Sequence, residues 1–311
     1  MPELPEVETI ARGLANRVTG DVIETVWLGS KREPLKSPAT EIAATLESKR
    51  IAGVRRVGKH IVFDLEQTAA EKKPVRQRAM TFSSAKTERG KAYARQSRWK
   101  RVVGNSSPHG DASAPAQWIV HLGMTGRMLV CNPQAEVEKH THAVVGLASG
   151  RELRFVDPRR FGRISVARGF QAPGSEPLEV EMDRFVTLFH SRNTPIKSAL
   201  LNQKLLRGVG NIYADESLFR AGIRPRRRAA TLSRERLAKL HSAVKEVLRE
   251  AIALGGSTVS DYVDADGEEG FFQLEHRVYG REGEPCLICK TPIKRVVIAG
   301  RSSHYCPNCQ R

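Results

Sequence analysis

The sequence of 311 residues lacks any run of about 18 consecutive apolar residues, the shortest that crosses a bilayer as a helix. Its first ten residues contain three glutamates and no lysine or arginine, whereas a secretory signal starts with a basic region. Aromatic residues are few, at 6%, but hydrophobic residues make up 40%, which is enough for packed cores. These features predict a soluble globular protein that stays in the cytoplasm.

Acidic residues are in deficit. Aspartate and glutamate number 34 against 51 lysines and arginines, which gives a formal net charge of +17. Such an excess attracts polyanions, either nucleic acids or anionic lipid surfaces. The length suits about two domains at roughly 150 residues each and excludes a small module held together by disulfides. Nucleic acid is the first partner that the composition suggests.

Cysteine is also scarce, with five residues, and four of them form the pattern Cys-x2-Cys-x16-Cys-x2-Cys. Thiols stay reduced in the cytoplasm, and two such pairs are typical of a tetrahedral zinc site. Four thiolates close the coordination shell, so the ion is expected to fold the segment and not to catalyse. The predicted ligands of one structural zinc ion (Zn2+) are Cys286, Cys289, Cys306 and Cys309. The fifth cysteine, Cys131, is predicted to be a small buried residue.

The residues around the zinc ligands predict a basic hairpin. The runs 293–298 and 302–305 are expected to pair around a turn at 300–301. Residues 285–311 contain five basic side chains and no acid, so this finger is expected to face phosphate. His304 is an alternative ligand by its type, but four thiolates suffice, and we expect it on the hairpin surface.

The hydrophobic pattern changes its period along the chain. Apolar residues at helical spacing from Val7 to Val18 predict an amphipathic helix. The strand-like runs that follow are 22–28, 61–65, 118–122, 127–130, 143–147, 152–156 and 163–166. A segment rich in proline and glycine, 169–177, then marks a domain boundary, and beyond it helical periods dominate, with a long helix capped by Ser233. The predicted fold class is α+β, with an N-terminal antiparallel sandwich or barrel, flanking helices, a helical region and the zinc hairpin.

Residues 66–116 interrupt the strand pattern, because they are poor in periodic apolar residues and rich in lysine, arginine, serine, alanine and glutamine. This insertion has 11 basic and 4 acidic residues, a net +7, and leaves +10 for the rest of the chain. Two interpretations are open, an additional electrostatic arm that follows DNA or a tolerated insertion without a role of its own.

Pro2 and Glu3 are candidate catalytic residues. Aminopeptidases remove an initiator methionine before a small residue, which leaves Pro2 with a free secondary amine. The pKa of an α-amino group is lower than that of lysine, so more of it is unprotonated at neutral pH. Such an amine attacks an electrophilic sugar carbon to form an iminium, with Glu3 beside it as acid or base. Taken alone, these residues are better explained as an ordinary helix start.

Seven motifs resemble, in order, those of bacterial formamidopyrimidine-DNA glycosylases of the Fpg/Nei family. They span nearly the whole chain except 66–116, and with the C-terminal cysteine pattern they are highly specific. The motifs are Pro2-Glu-Leu-Pro-Glu-Val-Glu-Thr9, Gly58-Lys59-His60, His121-Leu-Gly-Met-Thr-Gly126, Asp157-Pro-Arg-Arg-Phe-Gly162, Gly208-Val-Gly-Asn-Ile-Tyr-Ala-Asp-Glu216, Val278-Tyr-Gly-Arg281 and Gly300-Arg-Ser302.

The resemblance implies four catalytic residues. Pro2 is the implied Schiff-base nucleophile, and Glu3 is the implied proton donor and acceptor. Lys59 is a further proton donor that contacts the DNA backbone, and Arg301 contacts the phosphate next to the lesion. Without its neighbours, Lys59 would be interpreted as an exposed lysine at a strand end.

The resemblance also implies five DNA contacts. Met124, Arg159 and Phe161 match residues that enter the duplex when a nucleotide is flipped out, where they fill the void and meet the orphaned base. From residue types alone, Met124 and Phe161 would be core residues and Arg159 a phosphate contact. Asn211 and Lys197 match backbone contacts of a helix-two-turns-helix element.

The function that the resemblance implies is base-excision repair by a monomer acting on damaged double-stranded DNA in the bacterial cytoplasm and nucleoid. The enzyme would be a bifunctional DNA glycosylase and abasic-site lyase that removes 8-oxoguanine and formamidopyrimidines, followed by β,δ-elimination. The implied domains are a catalytic sandwich (1–170), a helix-two-turns-helix domain (178–275) and a zinc finger (276–311). The acidic segment 257–272 corresponds to the loop that covers an everted purine.

Two alternatives differ in chemistry. An endonuclease VIII-like glycosylase would prefer oxidised pyrimidines, but Leu4 and the long 257–272 segment favour the purine branch by resemblance. A non-catalytic DNA-binding protein built on the zinc finger and the helices is the second. The presence of Pro2, Glu3 and Lys59 argues against it.

Overall fold

A computed structural model describes residues 1–31, 33–68, 114–257 and 270–311. Most of the predicted insertion and most of the segment 257–272 lie outside the described residues. Among the described residues, no helix combines the length and the apolar character needed to cross a membrane. The sequence-based prediction of an α+β fold is confirmed.

In residues 1–31, 33–68 and 114–168, two four-stranded antiparallel sheets and two α-helices make up the N-terminal part. Helix α1 spans Leu4–Val18 and helix α2 spans Ala39–Leu46. The strands are β1 (Ile23–Leu28), β2 (Lys49–Val57), β3 (His60–Gln67), β4 (Ala116–His121), β5 (Arg127–Cys131), β6 (Thr141–Leu147), β7 (Glu152–Val156) and β8 (Arg163–Arg168). One sheet has the order β1-β6-β7-β5 and the other β2-β3-β4-β8.

The core between these elements follows from the predicted periodicities. The helix-spaced apolar side chains of α1 are buried, and α1 packs on β2, β3 and β5 and also on the long helix α6 described below. Alternate strand residues such as Ile61, Phe63 and Leu65 point into the same core. Helix α1 therefore joins the two halves of the molecule, and two of the predicted catalytic residues, Pro2 and Glu3, directly precede it.

Strand β2 and helix α2 were not predicted from the sequence. The segment of β2, Lys49–Val57, has three arginines and few apolar residues, so it shows no clear alternation. Its pairing with β3 explains why it nevertheless forms a strand. In α2 only Ile42 and Leu46 are buried, which is too short a stripe to give a helical period.

The ends of β3 and β4 are paired across the predicted insertion. Leu65 is the register partner of Ala116, and β3 continues to Gln67. The outer residues of the range 66–116 therefore belong to strands, and the predicted insertion is shorter at both ends. Residues 68–115 therefore connect two neighbouring antiparallel strands.

Within the described residues, four α-helices form the second part of the molecule. They are α3 (Met182–His190), α4 (Ile196–Leu200), α5 (Asn211–Arg220) and α6 (Arg234–Ala253). The Ser233 hydroxyl caps α6 by accepting from the Arg236 N–H, as predicted. Gly255 and Gly256, both at positive φ, end it. A short 3-10 helix, Phe272–Glu275, follows, so the last residue of the predicted loop, Phe272, lies in a helix.

The C-terminal hairpin consists of β9 (Lys294–Ile298) and β10 (Arg301–Tyr305). Both turn residues, Ala299 and Gly300, have positive φ, as a two-residue turn of type I′ requires. The predicted turn at 300–301 is wrong by one residue, because Arg301 already pairs with Ile298 as the first residue of β10.

Candidate active site

Glu3 is the N-cap residue of α1, and its side chain contacts the first turn of α5. Its backbone N–H donates to Glu6 Oε2 (2.7 Å), which fixes the first turn of α1. Its carboxylate Oε1 accepts the backbone N–H of Ile212 (3.2 Å) at the start of α5. Its other oxygen, Oε2, is buried and has no hydrogen-bond partner among the described residues. One carboxyl oxygen is therefore held by the protein while the other remains available for a proton.

Glu3 and Lys59 have shifted pKa values of opposite direction. Burial raises the pKa of Glu3 from 4.5 to about 7, and Glu6 adds to this, while Lys59 opposes it. Burial lowers the pKa of Lys59, which is only 9% exposed, and the Arg301 charge acts in the same direction. The interpretation of Lys59 as an exposed strand-end lysine is wrong. A carboxyl whose pKa is close to neutrality, as for Glu3, is suited to proton transfer.

Pro2 is buried and is preceded by Met1, which is half exposed. Its nitrogen is an amide while Met1 is attached, so removal of Met1 is needed to make it an amine. Because Glu3 follows Pro2 directly, that amine would form beside the buried carboxyl.

Gly210 is required for the close approach of Glu3 to α5. A Cβ at residue 210 would lie 2.2 Å from Glu3 Cδ, although the backbone there has negative φ and would accept alanine. We expect Gly210→Ala to displace the Glu3 carboxyl and to slow the reaction that the sequence predicts for this site by at least about tenfold. Single-turnover cleavage measures this. Gly53→Ala is the matched control, because nothing lies within 4 Å of a Cβ at that position; equal rates for the two variants would contradict the expectation.

Glu6 is a buried residue of the site that the sequence analysis did not single out. Its Oε2 accepts from the Glu3 N–H, while its Oε1 accepts from the Tyr213 hydroxyl and from the Ser257 N–H (2.8 Å). Glu6 thus links α1 and α5 to Ser257, which lies four residues after the end of α6. A Glu three residues after the N-cap is the signal of a capping box, which could have identified it.

Arg56, also missed, holds the turn that carries Lys59. Its guanidinium donates to Glu8 (2.7 Å) and Glu176 (2.8 Å), and more weakly to the Gly58 carbonyl (3.3 Å). Its side chain is 7% exposed. The network ties α1 to the linker after β8, so the Lys59 turn is fixed relative to both parts of the molecule.

Met124, Arg159 and Phe161 lie on an exposed edge organised by Asp157. Met124 is 41% and Phe161 51% exposed, so the interpretation of these two as core residues is wrong. The Arg159 guanidinium carbon lies 5.0 Å from the Phe161 ring centre. Asp157 accepts from the Thr125 hydroxyl (2.6 Å) and the Gly162 N–H (2.7 Å) and so joins the two loops. The three side chains are available to a partner.

The remaining predicted contacts divide into accessible and buried groups. Arg301 is exposed, and the Asn211 amide donates to Ser302 Oγ (3.3 Å). Lys197 is 0% exposed and its ammonium lies 2.7 Å from Asp215 Oδ1. This position does not agree with the predicted contact between Lys197 and the DNA backbone, because solvent does not reach the ammonium.

The four cysteines of the C-terminal pattern converge on one point. Their sulfurs all lie within 4.8 Å of one another, with Sγ–Sγ distances of 3.4 Å for Cys289 and Cys306 and 3.9 Å for Cys286 and Cys309. A tetrahedron with Zn–S bonds of about 2.3 Å needs separations of about 3.8 Å, so the residues fit a structural zinc.

Two predictions about the burial of single side chains are wrong. His304 is buried, and its backbone N–H donates to Asp215 Oδ2 (2.9 Å), because β10 packs on α5. It is therefore not a surface residue of the hairpin. Cys131 is only partly buried, since it ends the edge strand β5.

The fold and the comparisons with known proteins define the class, a DNA-repair glycosylase with an N-terminal domain of two sheets, a helix-two-turns-helix domain and a zinc finger. The chain matches the formamidopyrimidine-DNA glycosylase N-terminal domain over 1–164 and the formamidopyrimidine-DNA glycosylase H2TH domain over 173–263. The zinc finger found in FPG and IleRS matches 283–311. The chain belongs to the formamidopyrimidine-DNA glycosylase family.

Relatives cover the chain from end to end. The formamidopyrimidine-DNA glycosylase of Solibacter usitatus is 41% identical over 315 residues, with 100% of each chain covered. The crystal structure of the MutM (Fpg) protein of Thermus thermophilus is 36% identical with a TM-score of 0.75, covering 99% of this chain and 98% of that one. Lactococcus lactis Fpg in complex with DNA containing Fapy-dG is 28% identical with a TM-score of 0.77, covering 99% and 100%.

Proposed function

We propose that this glycosylase is bifunctional, removing oxidised purines (8-oxoguanine and formamidopyrimidines) from duplex DNA and then cleaving the abasic strand. The observation that carries the proposal is the pairing of a buried Glu3, whose pKa is about 7, with an adjacent N-terminal proline and the buried Lys59. A relative with the same fold is known in complex with DNA containing Fapy-dG. These features support base removal at a site that holds both an amine and a proton carrier.

The proposed first step is attack by the Pro2 amine on the sugar C1′. The N–C1′ bond forms as the glycosidic bond breaks, and the damaged base departs with a proton. Once the sugar ring opens, the nitrogen and C1′ form an iminium, which acidifies C2′. Loss of a C2′ proton expels the 3′-phosphate by β-elimination, and a second elimination expels the 5′-phosphate. Hydrolysis of the remaining iminium releases the Pro2 amine and the sugar fragment as an aldehyde, which leaves a gap of one nucleoside.

Each of the other catalytic residues has a proposed task. Glu3 donates a proton during ring opening and accepts one later, which its pKa near neutrality permits. Lys59 supplies a further proton and contacts the DNA backbone. Arg301 meets the phosphate beside the lesion, and Asn211 contacts a neighbouring backbone position.

The proposed role of Met124, Arg159 and Phe161 is to replace the flipped nucleotide in the stack. Extruding a base costs a few kcal/mol of stacking and pairing, which apolar side chains filling the gap offset. The 41% and 51% exposed fractions of Met124 and Phe161 support this, since both are available without unfolding the loops.

Several further assignments complete the proposal. One zinc ion is held by the four clustered cysteines and stabilises the finger. The protein acts as a monomer in the cytoplasm. The proposed division into 1–170, 178–275 and 276–311 is supported by separate hydrophobic clusters in the sheets, the helices and the finger.

Borohydride trapping tests the mechanism. Protein with a processed N-terminus is incubated with a duplex containing 8-oxoguanine and with borohydride, which reduces an iminium to a permanent crosslink. We expect a covalent complex, and we expect Pro2→Gly to reduce its yield. No crosslink with fully processed protein would rule out the Schiff base, and unaffected trapping by Pro2→Gly would point to a lysine. Stronger trapping on oxidised pyrimidines would favour the endonuclease VIII-like alternative.

Deleting residues 69–113 separates the body of the enzyme from the insertion. Because Leu65 and Ala116 are register partners, a short glycine linker should close the β3–β4 hairpin. We expect lesion cleavage to remain intact, while affinity for duplex DNA falls at low salt as basic side chains are lost. Binding measured across a salt series checks this. Unchanged affinity and an unchanged salt slope would eliminate the DNA-tracking arm.

A further inference from the structure

Lys197 and Asp215 form a fully buried ion pair between α4 and α5. Both side chains are 0% exposed, and the distance between Lys197 Nζ and Asp215 Oδ1 is 2.7 Å. The desolvation of two buried charges can exceed their mutual attraction, so such a pair is weak evidence for a contribution to stability. Its contacts therefore offer the better indication of what the pair does.

Both partners of the pair also bind strand β10 of the zinc hairpin. Lys197 Nζ donates to the Ser302 carbonyl (2.6 Å), and Asp215 Oδ2 accepts the His304 N–H (2.9 Å). The two bonds flank Ser303, which is itself fully buried. Two backbone groups of β10 are thus fixed by side chains of the helical region, independently of the zinc ligands.

Arg301 directly precedes this fixed stretch. It is exposed, and its charge acts on both Lys59 and Lys197. The Asn211 amide adds a third attachment through Ser302 Oγ (3.3 Å). The start of β10 is consequently held against the first turn of α5, where the Ile212 N–H also donates to Glu3 (3.2 Å).

We propose that Lys197 and Asp215 are positioning residues that clamp β10 to α4 and α5 and so set the place of Arg301 at the reaction centre. This inference rests on the proposed role of Arg301 and assigns Lys197 a role without DNA contact. Side chains that hold a functional group in place affect rates strongly although they touch no substrate.

The first test compares Lys197→Met with Lys197→Met/Asp215→Asn in single-turnover base excision. Lys197→Met leaves a buried carboxylate unpaired, so we expect about a tenfold or larger loss of rate. Asparagine still accepts the His304 N–H without a charge, so the double variant should recover at least about threefold. A double variant no faster than Lys197→Met would overturn the clamp, since a lost phosphate contact would not be restored by changing Asp215.

The second test uses DNA binding and an Arg301→Ala background. With Lys197→Met we expect an unchanged salt slope, whereas loss of a direct phosphate contact would lower it by about one. In Arg301→Ala protein, Lys197→Met should slow the reaction by less than about twofold further, because both changes act through one group. A lower slope or fully multiplicative losses would contradict the proposal.

Hydrogen exchange of the His304 amide reports the clamp without any reaction. We expect faster exchange in Lys197→Met and in Asp215→Ala, which removes the acceptor of the His304 N–H, with retained zinc and secondary structure. Arg236→Met is the control, because it removes a bond from α6 to the Arg311 carbonyl at another point of the finger (2.9 Å). If wild-type protein forms no borohydride crosslink but these amides respond, the proposed function fails and the clamp stands. Unchanged exchange in both clamp variants would overturn the clamp.

Discussion

Replacing Glu3 by glutamine should reduce base excision at least about a hundredfold while leaving DNA binding nearly intact. The amide cannot transfer a proton, and general acid–base groups contribute about a hundredfold to ten-thousandfold. Single-turnover kinetics across pH measure the effect. In wild-type protein the step that needs protonated Glu3 should weaken above pH 7, since its pKa is about 7, and this limb should be missing in Glu3→Gln.

The same substitution should stabilise the protein at alkaline pH. The folded-state pKa of Glu3 is raised from 4.5 to about 7, so ionisation of the buried carboxyl costs stability as pH rises through that window. The shift corresponds to the order of 3 kcal/mol above pH 7. Denaturation curves at pH 4.5 and pH 8 should show a gain for Glu3→Gln at pH 8 only.

Glu8 is the matched control in the same helix. Hydrogen bonds and charges from Arg56 and Arg12 outweigh its burial and lower its pKa, so the ionised form stabilises the fold. Glu8→Gln should therefore destabilise the protein at neutral pH, and the difference should fade as pH falls below the ordinary range of a carboxyl group. If the change in stability followed pH in the same way for the two variants, the opposite pKa shifts of Glu3 and Glu8 would be refuted.

Cys306→Ala should abolish tight DNA binding and cleavage, with losses of at least about a hundredfold. Three thiolates leave the zinc shell incomplete, and structural zinc contributes about 10 to 16 kcal/mol to folding in isolated finger peptides. Cys306 also lies in the small cluster of Phe219, Val278, Cys286 and Ile293. Without the finger, Arg301 has no fixed position. Zinc content, circular dichroism and binding to a lesion duplex provide the measurements.

Cys131→Ala is the control for that experiment. This cysteine ends β5 and is not among the clustered thiols, so zinc content and activity should remain at wild-type levels. Normal cleavage by Cys306→Ala protein that holds no zinc would show that the finger is dispensable.

The sequence predicted those parts of the fold whose signal is local. The apolar stripe from Val7 to Val18, the Ser233 cap and the cysteine spacing all depend on neighbours within one element. Strand β2 was missed because its arginines are accommodated by partners far along the chain, such as Glu176 for Arg56. Pairing of this kind leaves no periodic signal.

The candidate site shows the same division. Motifs resembling a known family identified Pro2, Glu3 and Lys59, but no pattern indicated that Glu3 would bind the N–H of Ile212. The burial of Lys197 was missed for the same reason, because its partner Asp215 lies in another helix. Which charges are paired in the interior depends on tertiary packing, and no local pattern in a single sequence reveals that pairing.

The bond between Glu3 and Ile212 has a consequence for synthesis. The two residues are 209 positions apart, and a nascent chain emerges from the ribosome N-terminus first. Until α5 has been made, an incomplete chain carries the proposed nucleophile without the contact that holds its proton carrier. A chain that ends before α5 should therefore be unable to excise a base, so the cell is not exposed to an incomplete glycosylase.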